Sequence, residues 1–148
     1  MRISNLLSSI ALALPLMANA GTTSLDLVIG SYHLYPENYA PGYNELNLGV
    51  IVKYYPQDKG FYFYGGGYKN SFSRTSLAGG VGQDYKLNEY LTIGWSAGLV
   101  TGYEVDYIDS PVLPQIAGTV TVMDRLNIMA IPAAKDSVIG FSLKVGEW

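Results

Sequence analysis

The alternation of side chains is the feature that most narrows the possible folds. Leu91, Ile93, Trp95, Ala97 and Leu99 alternate with Thr92, Gly94, Ser96 and Gly98. A period of two places the first set on one face of a β-strand and the second on the other. The split recurs where Leu46, Leu48, Val50, Val52 and Tyr54 alternate with Asn47, Gly49, Ile51 and Lys53, and where Ile139, Phe141, Leu143 and Val145 alternate with Val138, Gly140, Ser142 and Lys144. A chain made of such strands must bury its apolar stripes around a core or turn them outward into hydrocarbon.

After residue 20, no apolar run is long enough to cross a bilayer as a helix. Period and turn signals together predict strands over 24–35, 44–55, 60–70, 74–86, 90–102, 112–122, 125–131 and 137–146. Most match the roughly 9 to 11 residues that a tilted strand needs to cross an outer membrane, the seventh being short. An open sheet edge in hydrocarbon would strand backbone N–H and C=O groups at several kcal/mol each, so the eight strands must close. The expected fold is therefore all-β, an eight-stranded antiparallel transmembrane barrel of the outer membrane.

Soluble sandwiches and lipocalin-like barrels alternate as well, with the apolar face inward. Three features favour the membrane barrel. The face opposite each stripe is largely Gly, Ser, Thr and Asn, which suits a narrow interior better than a solvated surface. Tyr32, Tyr35, Tyr54, Tyr55, Tyr68, Tyr85, Tyr90, Tyr103 and Tyr107 gather near predicted strand ends, as an interfacial girdle would. Trp148 closes the chain after an alternating strand.

Residues 1–20 read as a cleaved export signal: Arg2, an apolar stretch from Leu6 to Met17, then Ala18-Asn19-Ala20. The barrel domain is then 21–148. Nine Lys and Arg stand against 12 Asp and Glu, for a net charge of −3, so the basic face a nucleic-acid binder needs is missing. With no Cys and a single His, His33, neither a thiolate nor a His-cluster metal site can form. Any chemistry must use His33, hydroxyls and carboxylates.

If Gly21 starts in the periplasm, the short connections 56–59, 87–89 and 123–124 lie inside. The longer ones, 36–43 and 103–111, lie outside, which is the outer-membrane pattern. His33 and Ser71 then share the external rim. The prolines Pro111, Pro114 and Pro132 cannot donate to a ladder, so the strands they flank can part to admit a lipid sideways. The plainer alternative is that they only mark strand ends.

Several motifs stand in a characteristic order: Ser31-Tyr32-His33, Gly42-Tyr43-Asn44-Glu45, Tyr68-Lys69-Asn70-Ser71 and Ala78-Gly79-Gly80-Val81-Gly82. They are followed by Tyr107-Ile108, Pro111-Val112-Leu113-Pro114 and Ile131-Pro132. The ordered set resembles the outer-membrane lipid A palmitoyltransferase (PagP) family across most of the barrel domain. The resemblance implies an eight-stranded barrel that moves a palmitoyl chain from a phospholipid donor to a lipid A acceptor, with no metal and no cofactor.

By position the resemblance puts the catalytic residues at His33, Asn70 and Ser71, and the floor of the acyl pocket at Gly82, whose glycines can equally serve bending and packing. His33 is the expected base and Ser71 an oxyanion donor or positioning group. Asn70 stands where the family has Asp, and Tyr103 and Glu104 where it has an Arg. An amide can orient an imidazole but cannot neutralise an imidazolium. The expectation is a monomeric PagP-like acyltransferase. The alternatives are a non-catalytic envelope barrel, bacterial or phage-encoded, and an esterase that passes the acyl group to water.

Overall fold

The dyads seen in the sequence pair edge to edge. The computed structural model describes residues 21–35, 42–57, 60–103, 110–133 and 136–148, so the expected export signal and most of the two longer connections lie outside the described residues. Eight strands follow one another: β1 Thr22–His33, β2 Gly49–Tyr55, β3 Phe61–Lys69, β4 Thr75–Lys86, β5 Leu91–Thr101, β6 Val112–Val122, β7 Leu126–Ile131 and β8 Val138–Glu147. Each pairs antiparallel with the next, and β8 returns to β1, closing a barrel. The last residue takes part in closure: Trp148 N–H donates to Thr23 O and Thr23 N–H to Trp148 O.

Exposure follows the sequence period. Along β5, Ile93, Trp95 and Leu99 face outward while Ser96 and Val100 are buried. Leu77, Phe63, Ile116 (65% exposed), Leu143 and Val145 extend this apolar face around the wall. An unpartnered apolar belt of this extent, on a barrel whose interior holds buried Asp, Lys, Ser and Thr, is stable in hydrocarbon and not in water. The chain is a transmembrane β-barrel turned apolar side out.

At one end of the barrel the connections are tight. Met123 (φ 52°) and Asp124 (φ 54°) form a two-residue turn between β6 and β7, the geometry that matches strand twist in a hairpin. Asn88 closes the next turn by accepting from Tyr90 N–H (2.8 Å) and Leu91 N–H (2.9 Å). The opposite end, where β1, β3, β5 and β7 finish, is called the far rim below.

Strand β2 starts at Gly49, five residues later than the alternation predicts, because side chains replace the ladder there. The Asn47 amide donates to Lys69 O (3.0 Å) and to Asn44 O (3.1 Å), and the Asn44 amide donates to Asn70 O (3.1 Å). Residues 42–48 are thus held to β3 and the turn after it by these amides, together with isolated backbone bonds from Lys69 N–H to Leu48 O and from Ser31 N–H of β1 to Glu45 O.

A small barrel must fill its interior with side chains, and here tyrosines from β3 do so over glycines of β4 and β5. A Cβ on Gly82 would run into the Tyr62 ring, and one on Gly98 into the Tyr64 hydroxyl. Beneath Tyr62, Asp26 pairs with Lys53 at 3.0 Å, both nearly fully buried. Tyr55 donates to Asp84 Oδ2 at 2.9 Å. Removing one member of a buried ion pair leaves an uncompensated charge. Asp26→Ala should therefore destabilise the barrel by about 3–5 kcal/mol, and Asp26→Ala/Lys53→Met should recover most of that loss. Urea unfolding in detergent micelles, read by gel mobility, checks both.

Candidate functional site

Whether His33 faces lipid or lumen depends on a single residue. In β1, Ser24, Asp26 and Val28 point inward while Leu27 and Ile29 point out. Continued alternation would place His33 on the lipid side. The register with β8 shifts instead: Val28 pairs with Ser142, Gly30 with Phe141, and Ile29 is left as a bulge. One extra residue reverses the phase of everything after it. Ser31 and His33 therefore face inward, and His33 is only 2% exposed.

The imidazole is held from two sides. It stacks on Tyr43, with centroids 3.8 Å apart and planes at 11°. Its Nδ1 lies 3.8 Å from Glu45 Oε1, which also accepts the His33 backbone N–H at 3.3 Å. At that separation Nδ1 has no hydrogen-bond partner among the described residues. Phe72 packs edge-on against Tyr43 on one side and Tyr103 on the other. Tyr43 and Glu45 carry the orienting role that sequence reasoning left to Asn70. The signal was present in the Gly42-Tyr43-Asn44-Glu45 motif, which marks the site without revealing which side chain meets the ring.

Asn70 is fully buried and its amide is completely committed elsewhere. Nδ2 donates to Gly102 O (2.7 Å) and Ser76 Oγ (3.0 Å), and Oδ1 accepts from Phe72 N–H (2.9 Å) and Arg74 N–H (3.0 Å). These four bonds tie the 70–74 turn to the end of β5. Asn70 builds the turn that carries Ser71, and its amide bonds to the side chain of neither His33 nor Ser71.

His33 and Ser71 line a common cavity of about 370 Å³ at the far rim, with Tyr43, Tyr103, Pro114 and Asp136. Ser71 and Tyr103 also line a second cavity of about 100 Å³ below it, whose walls include Val28, Ile51, Ala78, Met129 and Phe141. The rim chamber thus adjoins a mostly apolar shaft, the two sharing Ser71, Tyr103, Gln115, Ile131 and Val138 in their walls. The shaft ends on Tyr62 and the Asp26–Lys53 pair. Gly82 lies under the Tyr62 ring, so Tyr62 forms the floor that sequence reasoning assigned to Gly82.

At the neck, the Tyr68 and Tyr103 hydroxyls meet at 3.2 Å. Two hydroxyls hold two protons and need only one between them, so one donor remains for a ligand. Burial pushes the Tyr103 phenol up from its ordinary value, which keeps that proton in place.

Beside the chamber the ladder between β6 and β7 is short. β6 and β7 pair only from Gly118–Ala130 to Val122–Leu126, leaving residues 112–117 of β6 bonded on the β5 side alone. Pro114 and Pro132 flank this gap and line the chamber. Pro111 sits in the exposed bend before β6, away from the chamber lining.

Asn70→Asp, which puts a carboxylate where the amide now stands, should not create a charge relay. It would set an oxygen against Gly102 O and against Ser76 Oγ, whose proton already goes to Thr101 O. A loss of about 1–3 kcal/mol in stability is expected, without a gain in any transfer activity; urea titration and an acyl-transfer assay on the same preparation check both.

No protein-family model matches the chain, and no curated protein matches it. Among solved structures, it is similar to a de novo designed transmembrane β-barrel at 19% identity and TM-score 0.49, covering 85% of this chain and 96% of that one. It is also similar to the Yersinia pestis outer membrane protein Ail, determined in a phospholipid bilayer nanodisc, at 10% identity and TM-score 0.45, covering 84% and 99%. What the protein does has to be argued from the rim chamber and the shaft themselves.

Proposed function

We propose that the chain is an outer-membrane acyltransferase that moves a long acyl chain from a phospholipid to a hydroxyl of lipid A. The far rim would lie at the outer leaflet. The observation that carries the reading is the adjacency of two spaces: His33 and Ser71 line a chamber that shares wall residues with the mostly apolar shaft and lies beside the stretch of β6 not paired to β7. Apart from binding a lipid tail, a barrel has little use for a dry shaft ending under its lone imidazole.

In this reading the donor enters between β6 and β7 and lays one acyl chain down the shaft, its ester at the neck. The imidazole of His33 takes the proton from the lipid A hydroxyl as that oxygen attacks the ester carbonyl. The Ser71 hydroxyl and the free proton of the Tyr68–Tyr103 pair would hold the resulting oxyanion. Collapse breaks the bond to the glycerol oxygen, and the imidazolium returns its proton to that leaving oxygen. The products are acylated lipid A and a lysophospholipid, with His33 neutral again.

A second reading has its own support. The amide of Asn70 is fully used within the turn, and no Lys or Arg is among the chamber lining to meet lipid A phosphates. Both features suit a non-catalytic envelope barrel that keeps the rim residues for packing.

Mass spectrometry of lipid A from expressing cells separates the two. Transfer should add one acyl unit, His33→Ala should reduce it by about a hundred-fold or more, and Ser71→Ala by about a hundred-fold. An unchanged lipid A spectrum with a folded barrel supports the non-catalytic reading, and free fatty acid in place of acylated lipid A indicates hydrolysis. Tyr62→Ala, which deepens the shaft, should shift the transferred chain to longer acyl groups in the same spectra.

A further inference from the structure

Among the described residues lining the rim chamber, Asp136 is the one carboxylate, near enough to act on His33 electrostatically but with an oxygen that bonds to nothing. It enters from the connection between β7 and β8, is 8% exposed and lines the rim chamber. Its Oδ1 accepts the Tyr35 backbone N–H at 3.0 Å. Its Oδ2, equally buried, has no hydrogen-bond partner among the described residues. Half of a carboxylate left unsatisfied in a cavity of mostly apolar and aromatic walls is costly unless a ligand supplies the missing donor.

The surroundings narrow the kind of donor. No Lys or Arg is among the residues lining the chamber. A divalent cation would need several oxygen ligands, and among the described residues no three His, Asp or Glu side chains converge to hold a metal. An anionic group would meet Asp136 inside the chamber and Glu45 beside His33. The remaining chemistry is a small cation with N–H donors. The rings of Tyr43, Phe72 and Tyr103 also line the chamber and offer the π faces that stabilise a desolvated ammonium. Asp136 stands close in sequence to Pro132, at the edge of the β6–β7 gap where a lipid headgroup would arrive.

We infer that the rim chamber receives the primary ammonium of a zwitterionic phospholipid, with Asp136 Oδ2 as its acceptor and the Tyr43, Phe72 and Tyr103 rings around it. The inference builds on the acyl-transfer reading, since it names the headgroup of the donor. The protein would select phosphatidylethanolamine as donor. Phosphatidylcholine carries the same charge but no N–H for Oδ2, and phosphatidylglycerol brings a net negative charge toward a carboxylate.

The test is calorimetric binding of dihexanoyl phosphatidylethanolamine, phosphatidylcholine and phosphatidylglycerol to the full barrel in detergent micelles. The wild-type protein should bind the ethanolamine lipid about ten-fold or more tightly than the glycerol lipid, the range of one charge-assisted hydrogen bond. Asp136→Asn keeps an acceptor for Tyr35 and should bring the two affinities together. Equal wild-type affinity for the ethanolamine and glycerol lipids overturns the inference without recourse to any variant. So does choline binding as tight as ethanolamine binding, or a preference that survives Asp136→Asn. Acyl transfer from the same three lipids is measured alongside. Ethanolamine-selective binding without any transfer would sink the transferase reading and leave the ammonium site standing. Equal transfer from all three lipids would do the reverse.

Discussion

Everything in this molecule follows from the need of a backbone in hydrocarbon to satisfy its own hydrogen bonds. Eight strands close on themselves, and even Trp148 is tied into the first strand. Near the far rim the ladder is incomplete in two places. On one side asparagine side chains stand in for strand bonds over residues 42–48. On another, β6 runs past the end of its pairing with β7. Both departures lie beside the chamber that His33 lines. The site exists where the pairing rule is relaxed.

The interior is divided by polarity along the barrel axis. Above Tyr62 the lumen is an apolar shaft whose neck carries the Tyr68–Tyr103 hydroxyls. Below it, Asp26, Lys53, Tyr55 and Asp84 form a bonded polar layer. Charges in so confined a space are tolerable only when paired, and their pairing seals the shaft from the other end.

Much of the barrel was legible because its physics is periodic. Strand β6 runs over Val112–Val122 as the alternation predicts, and β5 differs by one residue at each end. The two-residue turn at Met123-Asp124 was visible as a short gap between dyads. The start of β2 was not, because Leu46 and Leu48 alternate perfectly while Asn44 and Asn47 bond to the neighbouring turn. The partners of an amide are set across the sheet and leave no mark on the local period. The same holds for Asn70 and Gly82: one proved to be the keystone of a turn, and the other to lie beneath Tyr62, its partner across the β3–β4 ladder, whose own sequence context, Phe61-Tyr62-Phe63, gives no sign of where its ring packs.

By itself the sequence determined the strand count, the lipid-facing stripe of the clearly alternating strands, and the sharing of one rim by His33 and Ser71, because side-chain period and connection length act locally. Only the tertiary structure decided that His33 looks inward. That depends on the Ile29 bulge against β8, a register between strands more than a hundred residues apart in the chain. It also decided that Glu45, Tyr43 and Asp136 surround the imidazole while Asn70 does not, since closing a barrel brings together groups whose separation along the chain carries no information about their distance in space.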